Sequence, residues 1–144
     1  MANYIQGIFE VQNPDKYIGK HKPKYRSGWE LNMMLFFDNN KSVLKWASES
    51  IAIPYANPLT GKRANYIPDF FVVYQNKHGK QLAEVIEVKP KSQTSLTEAK
   101  NKHDQLHAVV NHAKWAAASN YCKTHGFSFR IITEQQLFHN GTRK

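Results

Sequence analysis

At 144 residues the chain has the length for one domain with its own core and too little for two. Its 41% hydrophobic and 12% aromatic content excludes a disordered polymer, and no apolar run approaches the ~20 residues of a membrane-spanning helix. Twenty Lys and Arg against eleven Asp and Glu give a net charge of +9 and an isoelectric point near 9.7, which favours a polyanionic partner, nucleic acid first.

The opening "MANYIQGIFE" has neither the basic segment nor the apolar core of a signal peptide, so an intracellular protein is expected. Residues 1–25 are rich in Gly, Pro and Lys with little periodicity and predict an irregular basic arm. Within it "KYIGKHKPKYR", Lys16 to Arg26, interleaves tyrosines with cations, a pattern suited to contacting phosphates. A helix is predicted from Ser27, where "SGWE" is a Ser-x-x-Glu capping box ahead of "LNMMLFF", and it should end near Asp38-Asn39-Asn40. A short strand follows around Ile51 to Tyr55, closed by the turn "NPLTGKR". The stretch "NYIPDFFVVYQNKHGKQLAEVIEVKP", Asn65 to Pro90, predicts a hairpin turning at "QNKHG".

After the polar link "KSQTS", a second capping box, Ser95-Leu96-Thr97-Glu98, should open a long helix. Leu106, Val110, Ala113, Ala117 and Tyr121 would form its apolar seam, with Trp115 projecting away to a core or an interface. "KTHG" ends it, with Gly126 at a left-handed position. "FSFRIIT" predicts a last strand, and "EQQLFHNGTRK" a short tail element. Cys122, the only cysteine, cannot form an internal disulfide and is read as a small buried residue. The element order predicts a single-domain α/β sandwich around a mixed sheet, residues 26–144, behind the arm of residues 1–25.

The hairpin carries charge where a buried strand should have none. Alternation puts Glu87 and Lys89 on one face of their strand, opposite Ile86 and Val88. Asp69, at the head of "DFFVVY", can approach Glu87 if the register allows. Two such carboxylates repel unless a cation lies between them, and oxygen-only ligation points to Mg2+ or Mn2+ and not zinc. A metal on Asp69 and Glu87 would bind a phosphate oxygen and acidify a bound water, with Lys89 positioning that water and offsetting charge on phosphorus. Glu30 has two readings of equal weight, a further metal ligand or a capping-box residue returning to the backbone of Ser27.

Arg26 is read as a phosphate clamp, against a solvated surface arginine. Lys24 and Lys91 belong to the basic clusters. Lys114 shares a polar stripe with Lys100 and His107 and is read as a DNA-backbone contact ahead of a solvated residue. His103 and His107 have metal-ligand spacing, but neither a His-Glu-x-x-His motif nor a cysteine cluster accompanies them. The chain has no Gly-x-Gly-x-x-Gly and no Walker lysine loop, so no nucleotide cofactor is expected.

Pro68-Asp69 followed by Glu87-x-Lys89 at the end of an apolar strand resembles the PD-(D/E)xK nuclease signature, with Glu30 as its preceding helical glutamate. The segments "YRSGWE", "SESIAIPY", "YIPDFFV", "IEVKPK" and "NHAKWAAASNYCKTHGFSFRIITEQQLF" resemble the head completion nuclease family of T-even-like tailed phages. More distantly they are similar to the end-cleaving nuclease subunit of certain transposons. The resemblance implies a restriction-endonuclease-like fold, a metal-dependent DNA endonuclease and a part in finishing the packaged head. It implies catalytic roles for Glu30, Asp69, Glu87 and Lys89, the three carboxylates also binding Mg2+ or, in substitution, Mn2+. Expected partners are DNA and phage portal or neck proteins, in the host cytoplasm or on the virion, with no membrane. One small site cuts one strand, so double-strand cleavage would need a homodimer or two events. The competing readings are a non-catalytic DNA-end or neck-binding virion protein, and a repair or recombination nuclease outside phage.

Overall fold

The computed structural model describes residues 6–94 and 99–135. In chain order the elements are β1 (Gly7–Ile8), β2 (Lys24–Tyr25), α1 (Gly28–Asn39), β3 (Val43–Ser48), β4 (Ile53–Ala56), β5 (Arg63–Tyr66), β6 (Phe70–Gln75), β7 (Gln81–Val88), a 3-10 turn at Lys91–Gln93, α2 (Lys102–His125) and β8 (Ser128–Ile132). The main sheet runs β3-β6-β7-β8. Its first two pairings are antiparallel and β7–β8 is parallel. A parallel neighbour needs a crossover, and α2 supplies it. The α/β sandwich around a mixed sheet is therefore the architecture, and no helix among the described residues is long and apolar enough to cross a membrane.

α1 starts at its expected cap. Ser27 is extended and its hydroxyl accepts the Glu30 N–H at 3.2 Å, while the far end closes when the Asn40 N–H returns to Phe36 O. Met34 and Phe37 of this helix meet Trp46, Phe70, Val72 and Ile86 in one core layer. On the other face of the sheet, α2 and the separate β4–β5 hairpin enclose Ile53, Tyr55, Tyr66, Trp115 and Ala118. At its end α2 stops on Gly126, which has φ +77° and sends its N–H back to the last turn, a conformation glycine adopts without a Cβ clash.

Three expectations need correction, and a fourth falls outside the described residues. The stretch before Glu49 contains an additional strand, β3, and the strand expected at Ile51 to Tyr55 is β4, which pairs only with β5. Asn65 and Tyr66 belong to β5 and not to the long hairpin, because buried Pro68 has no N–H for a ladder and breaks the run. The second capping box lies outside the described residues. α2 begins at Lys102, with the Asn101 side chain accepting the Asp104 N–H at 2.8 Å. Its most buried line is Ala108, Asn111, Trp115, Ala118 and Cys122; Val110, Ala113, Ala117 and Tyr121 of the expected seam pack beside it, Leu106 is 42% exposed, and Trp115 is core, one of its two expected places.

The N-terminal segment is irregular between β1 and β2 but is fastened to the body. Trp46 N–H donates to Lys16 O and Ile18 N–H to Trp46 O, each at 2.9 Å. Tyr17 meets the Trp46 ring edge-on at 4.8 Å, and Phe9 is buried beside it. Lys16 Nζ donates to the carbonyls of Asp38 and Asn40, which have no further helical partner. The segment thus covers β3, which would otherwise present an open sheet edge.

Candidate active site

The hairpin register answers whether the two carboxylates meet. Phe70 stands opposite Ile86, and one step further Asp69 falls beside Glu87. The parallel register puts Glu87 beside Ile131, on the sheet face that α2 covers. Glu87 is only 5% exposed. Its Oε1 accepts the hydroxyl of Tyr66 at 2.7 Å, and its Oε2 lies 3.6 Å from Lys89 Nζ. Asp69 Oδ2 accepts the Val88 N–H at 2.7 Å, and Lys89 is itself anchored by its N–H on Ile132 O. Ladder, Pro68 and β8 thus hold Asp69, Glu87 and Lys89 at one end of the sheet.

Negative charge is concentrated there. Burial, then the charges of Glu87 and Glu30, push the Asp69 carboxyl well above the usual carboxylate range, against the Val88 N–H and Lys89. Burial also raises Glu87, opposed by Lys89, the Tyr66 hydroxyl and Lys114. Glu30 is raised by burial and by Glu49 and Glu87, while the Arg26 N–H, donated to its Oε1 at 3.0 Å, stabilises its charge. The capping bond therefore reaches the backbone one residue before Ser27.

Asp69 and Glu87 offer oxygen donors only and carry charge that Lys89 offsets in part, which is donor chemistry for a hard divalent cation. Among the described residues no three His, Cys, Asp or Glu side chains close into one ligating cluster. Glu30 thus stands near enough to feel the pair electrostatically while one of its oxygens serves the backbone.

Two of the cations expected to meet DNA, Arg26 and Lys114, feel the carboxylates at this end. Arg26 binds Glu49 through both Nε (3.0 Å) and a terminal nitrogen (3.3 Å), and also feels Glu30 and Asp69. Lys24 is exposed on β2, and Lys91 follows β7 with its N–H on Glu134. Lys114 lies over the rings of Tyr55 and Tyr66, 5.9 and 5.7 Å from their centroids. Burial and Lys89 lower its pKa while Glu87 raises it, so it stands on the wall of the site. The His107 pKa is lowered by burial, then by His103, Lys89 and Lys114, so this part of α2 feels Lys89, as Glu87 does.

Two residues at the site carry no sequence motif. Tyr66 lies three positions before Asp69, and its bond to Glu87 depends on how the β4–β5 hairpin folds back. Glu49 has φ +51°, alone among described non-glycine residues in the positive region, and its N–H donates to Asp69 O at 2.9 Å. Only the juxtaposition of β3 and β6 could have found it.

Two comparisons bear on this arrangement. Residues 40–134 match the family described as TnsA-like endonuclease N terminal. That span takes in Tyr66, Asp69, Glu87, Lys89 and Lys114, while Arg26 and Glu30 precede it. The head completion nuclease of Enterobacteria phage T4 is 34% identical to this chain over 142 residues, covering 91% of this chain and 92% of that protein.

Proposed function

The chain belongs to the TnsA-like endonuclease family, and we propose that it is a divalent-metal-dependent endonuclease that hydrolyses DNA phosphodiester bonds. The observation that carries this reading is Asp69 set beside buried Glu87 by the hairpin register, with Lys89 Nζ 3.6 Å from Glu87. Asp69 and Glu87 would hold the cation, Mg2+ or Mn2+, which supplies Lewis acidity toward a phosphate oxygen and a bound water. Lys89 places a positive charge where the attacking water and the phosphorus would meet, and it offsets the charge that develops there. Water would add to phosphorus and give up a proton to solvent, the bond to the 3′-oxygen would break, and that oxygen would take a proton from solvent, leaving 5′-phosphate and 3′-hydroxyl ends. Glu30, one of whose oxygens accepts the Arg26 N–H, would add negative charge beside the cation and could accept from its waters.

Arg26, Lys24, Lys91 and Lys114 supply the cationic surround for the strand being cut. The name of the T4 relative supports a place in head completion, with packaged DNA as substrate and portal or neck proteins as partners, in the host cytoplasm or on the virion. One site per chain cuts one strand, so a double-strand cut takes a second copy or a second event.

The test is nicking of supercoiled plasmid in Mg2+, Mn2+ or EDTA by the full-length protein and by an Asp69→Asn/Glu87→Gln double variant. Cutting confined to the wild type with metal is expected. No cutting in any metal, with DNA still bound, would favour a non-catalytic DNA-end or neck-binding protein. Cutting in EDTA or by the double variant would refute the assignment of these carboxylates.

A further inference from the structure

We infer that Tyr66 is a positioning residue: its hydroxyl fixes Glu87 in the orientation from which that carboxylate takes a divalent cation. The inference rests on the metal-dependent reading above and goes beyond it, because Tyr66 lies outside the acidic and basic motif. It starts from a short chain segment. Tyr66, Ile67, Pro68 and Asp69 are consecutive, and both ends of this run act on Glu87, Tyr66 by a 2.7 Å bond and Asp69 by facing it across the ladder. Pro68 between them is buried and has a fixed φ, which removes one of the few torsions that separate the two.

Tyr66 itself has little freedom. It is 4% exposed, its backbone pairs with Ile53 in the β4–β5 hairpin, and its ring packs with Trp115 and Ala118 of α2. Lys114 Nζ sits 5.7 Å from the ring centroid. In that 2.7 Å bond the Tyr66 hydroxyl is the donor and Glu87 Oε1 the acceptor. A donor held this way restricts rotation of the Glu87 carboxylate and occupies one lone pair of Oε1, while Oε2 stays on the side of Lys89. Hydrogen-bonded partners of metal-ligating carboxylates are worth about 10–100-fold in metal affinity or activity. A tyrosine that only satisfied a buried carboxylate would change stability and leave affinity for a cation unaltered.

The experiment is Mn2+ binding to the full chain without DNA, followed by the loss of the free-ion signal in electron paramagnetic resonance. Wild type, Tyr66→Phe, Glu87→Gln and Tyr74→Phe are compared, with folding checked by circular dichroism. The Tyr66→Phe variant, which keeps the ring, should bind Mn2+ about tenfold more weakly or worse. Tyr74→Phe, a hydroxyl deletion at the far end of β6, should bind as wild type does, and Glu87→Gln should not bind. Placing 4-aminophenylalanine at position 66 restores a donor and should recover affinity to within about threefold of wild type; it also serves as the test should Tyr66→Phe not fold. Unchanged affinity in Tyr66→Phe, or no recovery with the amino analogue, would overturn the positioning role while leaving the metal reading intact. Wild-type protein that binds no Mn2+, or Glu87→Gln that binds it normally, would overturn both.

Discussion

Asp69→Asn should make the protein more stable and inactive at once, and pH and metal separate the two effects. Asparagine preserves the side-chain shape and an oxygen for the Val88 N–H, which now meets Asp69 Oδ2 at 2.7 Å. What disappears is a charge that burial and the carboxylates of Glu87 and Glu30 all disfavour. Residues opposed across an antiparallel ladder have Cβ atoms about 5 Å apart, where two charges repel by roughly 3 kcal/mol at an effective dielectric of 20. Protonation and nearby Lys89 relieve part of that, leaving an expected gain of about 1–2 kcal/mol, or roughly 3–8 °C in Tm. A carboxyl whose folded pKa is raised contributes stability that is full below its unfolded value and lost as pH rises through the folded one. The Asp69→Asn gain is therefore full above the raised value and fades as pH falls towards 3.8, the ordinary aspartate value. Thermal melts in EDTA at about pH 8 and about pH 5 measure it, with the larger gain at the higher pH. Added Mg2+ should then stabilise wild type and not the variant, whose cleavage rate falls by on the order of 10³-fold. A variant less stable than wild type at the higher pH, or a gain independent of pH, would refute the account of Asp69 as a charge held against repulsion.

Lys89→Ala should lower the single-turnover cleavage rate by on the order of 10²-fold with DNA affinity little changed, and a loss confined to affinity would make Lys89 a plain phosphate contact. Glu49→Gly should raise stability by about 1 kcal/mol, because glycine adopts the positive φ freely and the ion pair lost with Arg26 is at the surface; chemical denaturation reads this, and destabilisation would count against strain at Glu49. Deleting residues 1–24 should cost about 4 kcal/mol, from roughly 2 for burying Phe9 and about 1 for each of the two backbone bonds lost around Trp46, a large share of a typical stability. A truncated protein with wild-type Tm would show that this segment is dispensable to the fold.

Local signals were legible where one residue type answers one geometric need. Ser27 caps α1 and Gly126 ends α2 as the sequence indicates, since a cap hydroxyl and a left-handed backbone each narrow the choice of residue. The turn between β6 and β7 was legible for the same reason. β3 was not, because "VLKWAS" places Lys45 and Trp46 side by side and lacks clean alternation; Trp46 is enclosed from above by Phe9 and Tyr17, a contact no local pattern encodes. The most buried line of α2 was not legible beside the expected seam, because it contains Asn111, whose side-chain amide reaches Gln93 O at 3.1 Å. A polar residue satisfied by a distant carbonyl is invisible to a hydrophobicity pattern.

The site divides along the same line. Asp69, Glu87 and Lys89 could be picked out because acids inside an apolar hairpin oppose the fold, and local consistency breaks where chemistry is wanted. Tyr66 and Glu49 could not, because tyrosine in a strand and glutamate in a loop oppose nothing. Their importance arises from tertiary contact: Tyr66 becomes significant when β5 docks on α2, and Glu49 when β3 pairs with β6 and its N–H meets Asp69 O. The residues that disturb the fold are thus readable from the chain, whereas those that hold the disturbance in place become readable only once the chain has folded. This asymmetry makes Asp69→Asn and Tyr66→Phe complementary: the first removes a charge the fold resists, the second a bond that steadies its neighbour. On the proposed reading both impair metal binding, and only the first should raise stability in metal-free solution.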